Sequence, residues 1–478
     1  MVVLLAGCGD PAPKLDARWH FVGADGLRAQ RSAPALHTFF SHSNAPVVAA
    51  RLSTNSTVAA TTWLAAGKPV ADAMVLAQPL IEDLLAHESA GEVWRHGDGT
   101  VEVALAVRVT TERAPVWTEN FPKWMKPLGD GSSGAWVSAD KGWLIAVSRN
   151  NSERASAFRK KIAALVASPA RLLEIETAPG AWPGINAVAI ASNGAVRWSG
   201  TFRQPGLPEL PLSDWKYPTN VVRDPLIALT AARGVTPGIT KALGIGSYLE
   251  GQQIGQLFHW AQTDSPFQSY ATIFLSQPNE VVAKVHKELA PLYSTNGAAG
   301  TRSGLMMYDA AKGILALASA PGALPSLTSG STNGAGFLGV SLFPMKRSTN
   351  PPPRELLGEL LKPGVVFYEW EFTGDNITHW SANLQVRDIA MGLRPPSGDG
   401  PFLTWLSQCG ASLENTVTEV RQTGAGEFAF TRKAPAALSA FELVLLTRWL
   451  DPPLERPKNA RSQSAPPSFP VMPAPKSK

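Results

Sequence analysis

The sequence predicts an α+β protein of two related halves, each an antiparallel sheet with helices on one face. Short stretches in which apolar and polar residues alternate are interleaved with stretches of helical period. The same succession of stretches occurs twice, over about 16–215 and 216–451. Between the two copies lies Leu207–Asp214, punctuated by Pro208 and Pro211 as a boundary should be.

Each copy opens on a strand, Ala17–Gly23 in the first and Asp224–Thr230 in the second. A strand and a helix follow, Glu102–Val109 with Ala114–Met125, matched by Ser269–Leu275 with a helix opened by Pro278, Asn279 and Glu280. In the second of these helices Val281, Val282, Val285 and Leu289 fall at helical spacing. A hairpin comes next, Ala135–Ser148 turning at Asp140-Lys141-Gly142, with Gly304–Ala318 as its expected counterpart. The first hairpin leads into a helix from Ser152 to Val166, the second into a short Pro-containing segment. The strands Leu172–Glu176 and Val366–Phe372 occupy matching places, and closing hairpins turn at Asn193-Gly194 and Gly424-Ala425-Gly426. A last helix, Leu438–Leu450, should pack back on the second sheet. Residues 452–478 hold eight prolines and five Lys or Arg against Glu455 alone, which reads as a disordered basic tail.

That tail carries most of the formal net charge of +5, so the folded body is near neutral. A nucleic-acid groove needs Lys and Arg gathered on the folded surface, so a nucleic-acid partner is not expected. Only Cys8 and Cys409 are present, which rules out a disulfide framework or a Cys-based metal site once Cys8 is modified. Cys409 falls at the end of a short helix and reads as a small buried hydrophobe. No run of 18 apolar residues appears, so no transmembrane helix is expected.

Leu5-Ala6-Gly7-Cys8 resembles the lipobox of bacterial lipoproteins at all four positions, and Gly9–Lys14 reads as the short tether usual after it. The resemblance implies lipidation at Cys8 and a lipid-anchored cell-envelope protein on the periplasmic or outer-membrane face. Only seven residues precede Cys8, none basic, fewer than a signal's n- and h-regions need. Residues 1–15 are therefore expected to be a truncated signal and tether; the alternative is an ordinary apolar N-terminus in the cytoplasm. Trp19–Gly23, Thr219-Asn220 with Arg223–Ile227, Ser348–Pro353, Tyr368–Glu371, Asn415–Glu419 and Phe441–Leu443 are similar to phrases in uncharacterised lipoproteins of the Verrucomicrobia type. That group implies a location and a fold, and no reaction.

Chemical motifs are sparse. Gly334-Ala335-Gly336-Phe337-Leu338-Gly339 has dinucleotide-binding spacing, but a loop precedes it and a strand follows, the inverse of what such a site needs. There is no Gly-x-Ser-x-Gly elbow and no His-Glu-x-x-His helix. Eight scattered histidines would meet in a metal site only through tertiary contacts, for instance His87-Glu88 with His96-Gly97-Asp98. No catalytic, cofactor or metal residue is assigned.

The enzyme reading with most substance is a pair of carboxylates in each copy, Glu174 with Glu176 and Glu369 with Glu371, each pair on one strand face. Such pairs serve glycoside hydrolysis as acid and base. The simpler expectation puts them on solvent faces, with Tyr368, Trp370 and Phe372 toward the core. Trp136 with Trp143, or Trp370 with Trp380, would make a sugar-stacking platform, against burial in two cores. The expected role is binding or structural, without catalysis, with an envelope protein or polymer as partner. The alternatives are an envelope glycan hydrolase using the paired glutamates, and a carrier of a lipophilic ligand between the sheets.

Overall fold

The computed structural model describes residues 13–455 apart from 65–70, 98, 127–134, 151, 166–169, 180–182, 219–220, 223, 235–245, 253, 264–268, 293–304, 319–324, 342–352, 391–392, 395–399 and 453. Cys8, the lipobox-like residues 5–8 and residues 456–478, expected to be a basic tail, lie outside the described residues. The first half runs β1 (Lys14–Phe21), α1 (Gly23–Arg28), α2 (Pro34–Ser41), α3 (Ala45–Leu64), α4 (Ala71–Ala86), β2 (Ser89–Arg95), β3 (Val101–Val107) and α5 (Ala114–Met125). It continues through β4 (Trp136–Asp140), β5 (Trp143–Val147), α6 (Glu153–Ala163), β6 (Arg171–Thr177), β7 (Gly184–Ser192) and β8 (Ala195–Arg203).

The second half runs β9 (Leu226–Arg233), β10 (Gln256–Gln262), β11 (Ser269–Phe274), α7 (Pro278–Leu289), β12 (Leu305–Asp309), β13 (Ile314–Ala318), β14 (Ser326–Thr332) and β15 (Ala335–Ser341). Then come α8 (Arg354–Leu360), β16 (Val365–Phe372), α9 (Thr373–Ala390), β17 (Leu393–Arg394), α10 (Pro401–Gly410), β18 (Asn415–Gly424), β19 (Glu427–Ala434), α11 (Ala440–Leu450) and β20 (Leu454–Glu455).

Strands and helices thus mix as the α+β class requires; among the described residues they form one continuous antiparallel sheet of 18 strands plus the small β17–β20 pair. The halves meet where β8 pairs with β19 from Arg203↔Glu427 to Val196↔Ala434. Outward from that seam one wing reads β8-β7-β6-β1-β2-β3-β5-β4. The other reads β19-β18-β16-β9-β10-β11-β15-β14, extended by β13 and β12. The strand orders correspond step by step. The hairpin beside β11 is β14–β15, so the positional counterpart of β4–β5 is that hairpin and not 304–318, which is added at the outer edge. Lys141-Gly142, Asn193-Gly194 and Asn333-Gly334 all have positive φ at both central residues, the twist-matched two-residue turn of a tight hairpin.

Helices cover both faces of the sheet, which corrects the expectation of one. On the first face α3, α4 and α5 pack on Val93, Val103, Leu105 and Val107, while α7 packs on Ile273 and Leu338. α5 buries Trp117, Phe121, Trp124 and Met125, spaced as one helical stripe. On the second face α6 packs Phe158 and Ile162 against Ala104 and Ala106, and α8 packs Leu356 and Leu360 against Phe258 and Tyr368. Neighbouring residues of β3 therefore feed opposite cores, and all seven are buried. α11 starts two residues after the expected boundary, capped by Ser439 with a reciprocal Glu442 bond, and packs on α9 and α10 as well as toward the sheet.

One close approach is testable. Trp19 faces Gly91 across β1 and β2, and a Cβ on Gly91 would lie 2.2 Å from the indole ring. Gly91→Ala is expected to cost about 1–3 kcal/mol by forcing that ring off its seat. An unchanged thermal midpoint would refute it.

Candidate functional site

Facing side chains in an antiparallel ladder point to the same face, so register alone assembles a row across the sheet. Starting from Arg432, that row runs Thr418, Glu369, Thr230, His259, Ala271, Val340, Leu327, Leu315. Its first half is polar and roofed by α9 and α11. Its second half is apolar and forms the floor of a cleft of about 390 Å³, walled by Val285 and Leu289 of α7.

In the roofed part Glu371 is fully buried and accepts from the Ala440 amide at 2.7 Å and the Asn376 side chain at 2.6 Å. It ties β16 to the N-terminus of α11 and the first turn of α9. Glu369 accepts from the Thr418 hydroxyl at 3.2 Å. Arg432 donates to that hydroxyl at 2.9 Å and forks onto Glu442 at 2.6 and 2.9 Å. Loss of water and the neighbouring Glu371 push the Glu369 carboxyl up to about 7, with Arg432 partly opposing. Burial also raises Glu371.

At the mouth of the roof, Ser269 sits between the His379 Nε2 at 2.8 Å and the Asn383 amide, which donates to it at 2.7 Å. Both partners come from α9. Trp380, one residue after His379, stacks on His259 at 5.2 Å and packs on Phe441 at 4.5 Å. Burial, helped by His379, pulls His259 down to about 4, so its ring is uncharged at neutral pH. Ser269 and His259 thus give the apolar cleft one polar, uncharged end, and no Lys, Arg, Asp or Glu is among its described lining residues.

The paired glutamates are not a matched set. The ladder from Glu174 through Val188, Ser199, Thr431 and Glu419 ends on Tyr368, placing Glu174 and Glu176 on the sheet face opposite to Glu369 and Glu371. Glu174 and Glu176 line a separate cavity of about 480 Å³ beside α6, with His20 and Lys161. Each is held by an arginine: Glu176 accepts from Arg18 Nε at 2.8 Å, and Glu174 lies 2.5 Å from Arg171. The solvent-face expectation is corrected for the second pair, because α9 and α11 cover it. On the other face Tyr368 is buried and Phe372 is 42 % exposed.

The glycine motif forms the β14–β15 turn and the start of β15, so its amides enter a ladder and not a helix N-terminus. His20 Nε2 lies 3.0 Å from Glu88, which also accepts from Arg108 at 2.7 Å; His87 pairs with Asp25 at 3.0 Å. The His20 hydrogen bond lowers the Glu88 pKa below its ordinary range. Among the described residues no three His, Cys, Asp or Glu gather to hold a metal ion. Cys409 is buried and its thiol pushed up to about 11 by desolvation. Trp143 is buried under Arg108, and Trp370 and Trp380 lie over opposite faces, so neither pair makes the sugar-stacking platform that was the alternative to burial. No described helix is long and apolar enough to cross a membrane.

Ser269, His259, His379 and Asn383 escape a reading by motif. Alternation in Gln256–Gln262 does separate Leu257 and His259 from Phe258 and Trp260. Nothing local signals that α9, over a hundred residues away, lies on the same strands. The chain matches no protein-family model, and searches of curated proteins and of solved structures found no similar protein.

Proposed function

We propose that this chain is a lipid-anchored cell-envelope protein built from two copies of one β-rich unit, and that it binds an uncharged, largely apolar small molecule. The observation that carries the binding role is the cleft over β10, β11, β15, β14 and β13, apolar along its floor and ended by Ser269 and neutral His259. Pockets for small molecules have this composition, a mostly apolar wall with a few polar groups that orient the ligand. An uncharged end disfavours a carboxylate or phosphate headgroup, whose desolvation no described lining residue offsets. The matching strand orders of the two wings support a duplicated unit. The lipobox resemblance at Leu5–Cys8 supports the anchor.

Val340 stands in the cleft and is 39 % exposed, so a larger side chain fills the cavity without entering the core. Titration with Nile red, an uncharged apolar dye, is expected to reach saturation at one site, with Val340→Trp weakening it at least tenfold. Equal enhancement in the variant, or none in either protein, would remove the binding role. Intact mass of the protein taken from membranes tests the anchor separately.

A further inference from the structure

Outside both wings' cores, α3 and α11 bring two exposed tryptophans together. Trp63 is 43 % and Trp449 44 % exposed, and they border a shallow groove of about 760 Å³ that also includes Val58 and Ala59. The helices are tied there by Asn55, which donates to the Trp449 carbonyl at 2.8 Å, and Arg51, which donates to the Leu450 carbonyl at 2.8 Å. Arg95 lies 5.9 Å above the Trp63 ring and is held by Asp16 at 2.8 Å. A lone surface tryptophan needs no explanation, but two sharing one open groove with a valine are an apolar patch of the kind that marks an interaction site.

The position of the N-terminal strand says what covers it. Arg95 is the cross-strand neighbour of Lys14, the first residue of β1, and Lys14 is exposed. Cys8 is six residues earlier in the chain, a reach of at most about 22 Å. We propose that the Trp63–Trp449 groove is the surface on which the protein rests on the bilayer, with both indoles at the level of the lipid headgroups. This rests on the lipoprotein reading of Cys8. Indole combines an apolar ring with one N–H donor and concentrates at the membrane–water interface for that reason. Arg95, its charge taken up by Asp16, adds its apolar stem to the groove, and exposed Lys14 carries its charge in the headgroup layer, where anionic lipid attracts it. An acyl chain at Cys8 then anchors the protein, and the groove sets which way up it sits.

The test uses the native protein from membranes and the full-length Cys8→Ser chain, with vesicles of phosphatidylethanolamine and phosphatidylglycerol. Cys8→Ser protein is expected to sediment weakly with these vesicles, and Trp63→Ala with Trp449→Ala to weaken that at least tenfold. Val58→Asp is expected to act the same way while keeping both indoles. Brominated acyl chains should quench the acylated native protein, and the double alanine variant should lose that quenching. Val58, Trp63 and Trp449 are exposed, so thermal midpoints should hold when they are changed. Acylated protein with no quenching, or unchanged sedimentation of the variants, overturns the groove and leaves the anchor standing. So do variants that change only self-association or glycan binding. Unmodified Cys8 with groove-dependent sedimentation overturns the anchor and leaves the groove; unmodified Cys8 with no sedimentation overturns both.

Discussion

Asp388→Ala is expected to destabilise the protein by about 3–5 kcal/mol, a large part of a typical domain's stability. Asp388 is on the last turns of α9 with its side chain fully buried, and Arg448 of α11, 11 % exposed, donates its Nη2 to the carboxylate. Arg387 lies 3.7 Å from the other carboxylate oxygen, at the more exposed edge. Burial, and then repulsion from Arg387, lower the Arg448 pKa, so the carboxylate is what keeps that guanidinium tolerable under the helices. Removing it leaves a buried charge without a partner. Arg448→Met in the same chain should recover most of the loss, because a flexible apolar side chain replaces both the charge and its need for compensation. Urea midpoints of the two single variants and the double variant measure this, and a single-variant cost below about 1 kcal/mol would mean the pair is solvated. Since α9 also carries His379 and Asn383 over Ser269, Nile red binding should weaken in Asp388→Ala and return in the double variant.

What is legible in the sequence, and what is not, follows from the range of the forces involved. α5 spans Ala114–Met125 as expected because its stripe of Trp117, Phe121 and Trp124 and its proline at the first turn are local signals. The Asn193-Gly194 turn is equally local, since positive φ is a demand on two adjacent residues. Asn333-Gly334 carries the same signal, masked by the nucleotide-like spacing of the glycines around it. No element is expected from sequence over residues 34–86, although α4 buries Ala73, Ala77, Leu80, Ile81 and Leu84 at helical spacing. Period two places Glu369 and Glu371 on one face correctly. It does not say which face is covered, because the covering helices α9 and α11 are positioned by long-range contacts such as Ala440 to Glu371. The opposite facing of the two glutamate pairs is likewise a property of register summed over six strands. The cleft is out of reach for the same reason, its floor being drawn from five strands between His259 and Val340.

Glu369→Gln is expected to stabilise the protein at pH 8, by on the order of 2 kcal/mol. Glu369 is raised from an ordinary 4.5 to about 7 by loss of water and by Glu371 beside it. Below about pH 4.5 the folded and unfolded chains both hold the proton, and the group costs nothing. Between 4.5 and 7 the unfolded chain releases it while the folded chain keeps it, so stability falls as pH rises. Above about 7 the folded chain carries an unfavourable charge and the deficit is constant. A glutamine keeps an oxygen for the Thr418 hydroxyl without that charge. His259 works in the opposite sense: lowered to about 4, it makes stability rise with pH from about 4 to 6.5. The two slopes oppose each other across most of the same window, while Glu371, also raised by burial, adds to the falling side. The difference between variant and native protein isolates Glu369, growing from near zero at pH 4.5 to its full value above pH 7. Urea unfolding at several pH values measures it, and a variant that is less stable at pH 8 would mean that Glu369 is charged and compensated in the fold.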